Sequence, residues 1–293
     1  AARMGYIPDP IARQLRTGLG GGLGFLVPDL AGPGVMAMLR GFERAAARAG
    51  LAVTVAVGGA KADGEWEGFR RLLAGQVSRA VIVGSPGMGQ RSPLLREAAV
   101  RRVPLVYLNQ FPAAAPQYEN VGRVAADWAG AGRLAVEAVA ARGHRGLGYL
   151  AGRVSGSGWA EHFQGVMATA ERLGVSLVHT VFSDPESREA GQKATRELLA
   201  DGTRITALVC AGDRMARGAL AELKHLGRER KVAVVGCGGE EGQADEDPGL
   251  ATVRIPWEDL GRRAAERLVA GGKGGEERLP VTWEEGASLF AAR

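Results

Sequence analysis

Cysteine is nearly absent from this chain: Cys210 and Cys237 are the two present, each near the end of an apolar run. That usage excludes a disulfide framework as the source of stability and fits buried thiols in a reducing compartment. Long hydrophobic runs are missing as well. None reaches the ~18 residues a membrane span requires, and no charged-then-apolar leader precedes the first apolar segment. A cytoplasmic protein without a membrane partner is therefore expected. Histidine is scarce, and His144, His162, His179 and His225 share no metal-ligand spacing with one another or with the cysteines. Neither a metal nor any other cofactor is expected.

The motifs of common enzymes are missing too. Gly20, Gly21, Gly22 and Gly24 precede an apolar run instead of following one, so they read as a flexible linker and not as a dinucleotide fingerprint. Gly271-Gly272-Lys273-Gly274 lacks the Ser/Thr and the strand context of a phosphate loop. Ser155-Gly156-Ser157-Gly158 lacks the glycine two residues before Ser157 that a nucleophile elbow needs. No nucleophile, base and oxyanion site assemble, and an enzyme is not expected.

What the sequence does hold is alternation. Hydrophobic residues make up 46% and charged residues 24%, a balance that permits a well-buried core and leaves no segment biased toward disorder. Short apolar runs at 22–27, 51–57, 80–84, 104–108, 147–151, 177–182, 207–211 and 232–236 read as buried strands. Amphipathic stretches lie between them. In one, Val35, Leu39, Phe42, Ala46 and Ala49 recur at helical spacing and Gly50 stops it. Another runs from Trp257 through Leu260, Ala264 and Leu268 to Gly271. Continuous apolar strands alternating with helices predict α/β architecture with parallel sheets covered on both faces. The alternation runs twice, about 20–126 and about 146–237. Two doubly wound lobes are expected, with a ligand cleft between them where the carboxyl ends of their strands face each other. The last forty or so residues add one long helix and two short strands, which complete both lobes if the chain crosses between them more than once.

The first eighteen residues contain a compact helix signal. Asp9 is a good N-cap, Pro10 fits the first helical position and Gly18 supplies a stop. Two turns fall well short of the ~12–15 residues that an isolated helix needs. Ile11 and Leu15 share a face, with Arg13 and Arg16 on other faces. Such a helix suits insertion into a DNA minor groove, a leucine wedging between base steps while cations neutralise phosphates. It equally suits docking on its own domain. The net charge of +5 permits a nucleic-acid partner without requiring one.

These residues carry a resemblance. Ala1 to Gly18 resembles the junction of headpiece and hinge helix in the lactose/galactose-repressor family of bacterial transcriptional regulators. Gly24-Phe25-Leu26-Val27-Pro28-Asp29-Leu30 resembles the family's first core strand, and Ala141 to Gly152 its glycine-histidine lead into the second lobe. Ala207 to Leu226, Val232 to Gly236 and Leu250 to Arg254 resemble later units of that lobe. The resemblance implies a type I periplasmic-binding-protein-like core, a homodimer, operator DNA as partner, a small-molecule effector of unknown identity, and repression as the mode of action. It also makes Leu15 the groove wedge and places a helix-turn-helix headpiece upstream of Ala1. The implied division is 1–19 for the headpiece end and hinge, 20–126 with 255–281 for the N-terminal lobe, and 127–254 with 282–293 for the C-terminal lobe. A solute-binding protein of a transport system shares this fold and is the alternative.

The family's ligand positions are altered here. Asp127 matches a frequently acidic position and reads equally as a helix N-cap. His162 stands where an arginine commonly grips the ligand. Gly212 replaces the asparagine of an Asn-Asp pair and leaves Asp213, which could equally cap a helix. Gly238 replaces an aspartate, and Glu186 stands near an aromatic wall. Gly32-Pro33-Gly34-Val35 replaces Asn-Pro-Phe-Phe. Trp128 and Trp159 occupy places where smaller residues are usual, either as pocket walls or as packing. A sugar site needs paired donors and acceptors, which glycine removes, so simple sugars are not expected as effectors.

Overall fold

The computed structural model describes residues 21–59, 62–75, 77–84, 93–110, 115–152, 157–182, 187–200, 204–239 and 249–292. The hinge candidates Ile11, Arg13, Leu15 and Arg16, and the site candidate Glu186, lie outside the described residues. Two compact units emerge. One contains the described residues through Val124 together with Trp257–Glu277, the other Ala125–Pro256 and Arg278–Arg293.

The first unit is built on strands β1 (Leu23–Val27), β2 (Val53–Val57), β3 (Arg79–Val83), β4 (Leu105–Leu108), β5 (Val121–Ala126) and β11 (Gly275–Leu279), in the order β11-β5-β4-β3-β1-β2. The pairs from β5 to β2 are parallel. Helices α1 (Val35–Arg48) and α8 (Trp257–Val269) pack on each other against one face. On the other face α2 (Ala62–Ala74) and α3 (Pro93–Val100) close a core around Leu26, Phe69, Ile82, Leu94 and Leu105.

The second unit repeats the plan. Strands β6 (Gly146–Ala151), β7 (Ser176–Phe182), β8 (Ala207–Cys210), β9 (Ala233–Gly238), β10 (Ala251–Arg254) and β12 (Thr282–Glu284) run in the order β12-β10-β9-β8-β6-β7. Here β12 is antiparallel to β10 and the other pairs are parallel. Helices α4 (Trp128–Ala141) and α5 (Ser157–Leu173) pack together, as do α6 (Arg188–Ala200) and α7 (Asp213–His225). Cys210 and Cys237 are both buried. Two separate doubly wound sheets of one topology are what the alternation predicted.

Two features of the strands differ from the sequence reading. The runs at 51–57 and 177–182 were expected to be buried, yet β2 and β7 are edge strands that leave Val55, Val57, Val178 and Phe182 exposed. Among the described residues nothing covers these four side chains fully. Strand β5 was not among the expected strands because Arg123 interrupts its apolar run. The structure buries that arginine fully satisfied: Nε and Nη2 donate to the Asn109 carbonyl at 2.8 and 2.6 Å, and Nη1 reaches Glu276 on β11 at 3.2 Å. Asn109, just past β4, adopts a left-handed conformation (φ 60°) that the guanidinium holds through this carbonyl.

Helices cross here with backbone against backbone. A Cβ on Gly41 of α1 would collide with the Glu258 carbonyl of α8, and one on Gly261 of α8 with the Met38 carbonyl of α1. The same reciprocal contact joins Gly132 and His162, Gly165 and Ala129, Gly191 and Met215, and Gly218 and Arg188. In each case the carbonyl belongs to the residue three before the partner helix's own glycine. Arg40 adds an ion pair to Glu258 at 2.9 Å and holds that carboxyl below the usual range.

Replacing Gly261 by alanine is expected to lower stability by about 1–3 kcal/mol through overpacking, despite alanine's better helix propensity. Chemical denaturation checks this; an unchanged or raised midpoint would contradict the close crossing.

Candidate functional site

In the sheet order β10-β9-β8-β6-β7 the chain reverses its winding between β6 and β8, and the crevice at the carboxyl ends of those strands is where such sheets bind ligands. Helix α5 follows β6 and carries Trp159 and His162. Helix α7 follows β8 and begins at Gly212 and Asp213. Helix α4, packed on α5, begins at Asp127 and Trp128. The sequence candidates described in the second unit, with Gly238 at the end of β9, therefore gather at one end of one sheet.

Their local roles are specific. Asp127 is the N-cap of α4: Oδ1 accepts from the Gly130 amide at 2.9 Å, while its own amide donates to the Leu279 carbonyl at 2.9 Å. Trp128, the first helical residue, is buried with its ring 5.3 Å from that of Trp159, which is half-buried. A Cβ on Gly158 would press on the Trp128 indole, so α5 begins with glycine at this point.

His162 is fully buried and forms a 2.9 Å hydrogen bond from Nδ1 to the Tyr149 hydroxyl, the two rings stacked at 5.8 Å. Nε2 is buried without a hydrogen-bond partner. Desolvation lowers its pKa from 6.5 to about 4, so the ring is neutral at pH 7 and carries no charge with which to replace an arginine. Phe163 and Phe182 extend the aromatic cluster around Tyr149.

Asp213 ties the crevice's other wall together. Its carboxylate accepts from the Gly239 amide at 2.7 Å and from the Thr252 hydroxyl at 2.7 Å, joining the first turn of α7 to β9 and β10. A Cβ on Gly236 would strike this carboxylate. Gly212 is the extended N-cap residue of α7, with no side chain to offer. Gly238 has φ 144° and accepts from the Ile255 amide at 3.1 Å.

In the first unit, Gly34 caps α1 in a left-handed conformation (φ 67°), and a Cβ there would meet the Trp257 indole. Glu65 on α2 and Tyr107 on β4 are buried together; burial first, then the Glu65 carboxylate, push the phenol well above its usual pKa. The sequence reading missed Tyr149, Thr252, Glu65 and Tyr107. Each is a polar group inside an apolar run or helix face, a pattern that marks buried polarity and was available as a signal.

The His162 pKa has a consequence for stability. The unfolded chain protonates near pH 6.5 while the folded chain resists down to about 4, so folding loses stability as pH falls through that window. The loss amounts to about 3 kcal/mol by pH 4. His162→Phe removes this term, and the stability gap between wild type and variant is expected to narrow from pH 7 to pH 4. Parallel pH profiles in urea denaturation would contradict a neutral buried ring.

Comparisons with known proteins agree with this geometry. Residues 23–246 match the family described as periplasmic binding protein domain. The chain is similar to the HTH-type transcriptional repressor CytR of Escherichia coli (strain K12), 27% identical over 90% of this chain and 76% of the relative. It is also similar to the maltose regulon regulatory protein MalI of the same organism, 28% identical over 91% and 80%. Among solved structures, the lac repressor dimer bound to operator and the anti-inducer ONPF superposes with a TM-score of 0.84 at 24% identity, covering 98% of this chain and 100% of that one. A LacI family regulator from Enterococcus faecium with bound ribose gives 0.78 at 20% identity, covering 92% and 99%.

Proposed function

We propose that this chain, which belongs to the periplasmic-binding-protein domain family, is the effector-binding and dimerising core of a bacterial DNA-binding repressor of the lactose-repressor type. The carrying observation is one doubly wound sheet topology used twice, with the reversal of winding at whose strand carboxyl ends such sheets bind ligands. A ligand that prefers one arrangement of such units shifts the population of conformations, and operator affinity follows.

The effector we assign is not a simple sugar. Gly212 and Gly238 offer no side-chain hydrogen bonds, His162 is neutral and engaged by Tyr149, and Asp213 is committed to Gly239 and Thr252. Each absent bond to a sugar hydroxyl costs about 0.5–1.5 kcal/mol, and several together move a micromolar site toward millimolar. Also at this end of the second unit are the Trp128–Trp159 pair, the Asp127 carboxylate with Oδ1 engaged by Gly130, and His162 Nε2; Glu186 is a further candidate by sequence. They favour a ligand with a flat apolar body and a few polar or cationic groups. A thermal-shift panel of pentoses, hexoses, nucleobases and aromatic metabolites, followed by calorimetry, is expected to give hits among the flat ligands, with Trp159→Ala weakening them. A monosaccharide binding at micromolar affinity would contradict this.

Self-association follows from the edge strands. Val55 and Val57 on β2, and Val178 and Phe182 on β7, expose apolar surface that a second copy would cover. Sedimentation velocity is expected to show a dimer at micromolar concentration, weakened by Phe182→Glu; a monomeric wild type would sink the dimer.

A further inference from the structure

Cations gather at the amino edge of the second unit's sheet, with the exposed Glu229 beside them. Arg145 immediately precedes β6, Arg204 lies three residues before β8, and Arg230 and Lys231 lead into β9. Strands β9, β8 and β6 are neighbours and parallel, so their starts share one edge, with adjacent strands about 4.8 Å apart. The last turn of α7 brings Lys224 to the same edge. Helix-end electrostatics account for two of these cations: Arg145 donates to the Ala140 and His144 carbonyls, and Lys224 stands at a helix C-terminus. They do not account for Arg204, Arg230 and Lys231, which are exposed at strand starts. Among the described residues these three make no ion pair.

Beside them lies a groove of about 540 Å³, lined by Glu229 and Arg230 on one side and by Ala287 and Phe290–Ala292 on the other. Its far wall is fixed. Ser288 Oγ donates to the Val234 carbonyl at 2.7 Å and accepts from the Ala251 amide at 2.8 Å. His144 Nε2 holds the Phe290 carbonyl at 2.7 Å, and the Ala292 amide donates to the Arg142 carbonyl at 2.8 Å.

We infer that this edge is a docking surface for an acidic, apolar-anchored peptide segment of a partner protein. The unpaired cations supply complementarity to its carboxylates, and the alanine-rich wall beside Phe290 leaves room for a peptide backbone and one apolar side chain. Exposed Glu229, Arg230, Ala287 and Ala291 leave the groove open, which suits a chain lying along it better than a small ligand that needs enclosure. Phe290 sets its ring edge-on to His144 and is half-buried, so it offers no platform on which nucleic-acid bases would stack.

Fluorescence anisotropy tests this on the full chain with a labelled synthetic peptide of Glu and Leu, its Lys-for-Glu counterpart, a single-stranded and a duplex DNA of similar length, and inorganic phosphate. The acidic peptide is expected to bind and the basic one not. Arg230→Glu/Lys231→Glu, at exposed positions where folding is undisturbed, should weaken the acidic peptide by about tenfold or more, and added salt should weaken the wild type likewise. Hydrogen exchange should show peptide-induced protection at 287–292. Binding that ignores the double variant, protection elsewhere only, tighter binding of either DNA or competition by phosphate alone, or no peptide binding would each overturn the proposal.

Discussion

Three helix crossings in this protein are closed to the point where one helix's backbone rests on the other's, and only glycine permits it. A glycine inside a helix costs about 1 kcal/mol relative to alanine, so each of these positions is favourable only because the neighbouring helix occupies the space a methyl would take. The reciprocity is strict: Gly41 with Gly261, Gly132 with Gly165, and Gly191 with Gly218 each place the carbonyl three residues before one glycine over the other. Repetition of one contact on α1–α8, α4–α5 and α6–α7 fixes one helix pair of the first unit and both helix pairs of the second.

The candidate site inherits its geometry from the α4–α5 crossing. The carbonyl over Gly132 belongs to His162, whose ring meets Tyr149, and the one over Gly165 belongs to Ala129, next to Trp128. A shift of α5 along α4 would move His162 and Trp159 together. On the other wall the α6–α7 crossing seats α7 so that Asp213 reaches Gly239 and Thr252. The polar side chains Asp127 and Asp213 at this end of the sheet are thus engaged in holding the backbone around them.

The two-lobe α/β plan was legible because it rests on period and length: short apolar runs, helical stripes, and glycine stops such as Gly50 and Gly271. What sequence could not resolve was coverage. Thr54 in Val53–Val57 and His179 and Thr180 in Ser176–Phe182 were weak marks of an edge, outweighed by the valines and leucine around them; the difference lies in having a strand on one side only. Strand β5 escaped because Arg123 looks like a surface residue until Asn109 and Glu276 are brought to it from elsewhere in the chain. Of the candidate residues, the sequence singled out Asp127, His162 and Asp213 but not the bonds they make. Asp127 and Asp213 read equally well as caps or ligands, and the N-cap bond to Gly130 and the bonds to Gly239 and Thr252 are local and long-range facts respectively. The interior helical glycines were a further signal present and unread; their cost should have implied close approach.

The central claim is that ligand occupancy of this core changes affinity for DNA. Thermodynamic linkage makes the claim measurable in both directions: if a ligand changes operator affinity by some factor, operator must change ligand affinity by the same factor. The measurement is a titration of the reading frame's full product against DNA flanking its own gene, with and without the best-binding flat ligand, paired with calorimetry of that ligand with and without DNA. The account predicts equal factors, in the range of about 5–150 that corresponds to 1–3 kcal/mol of coupling. Tight ligand binding that leaves DNA affinity unchanged would contradict it.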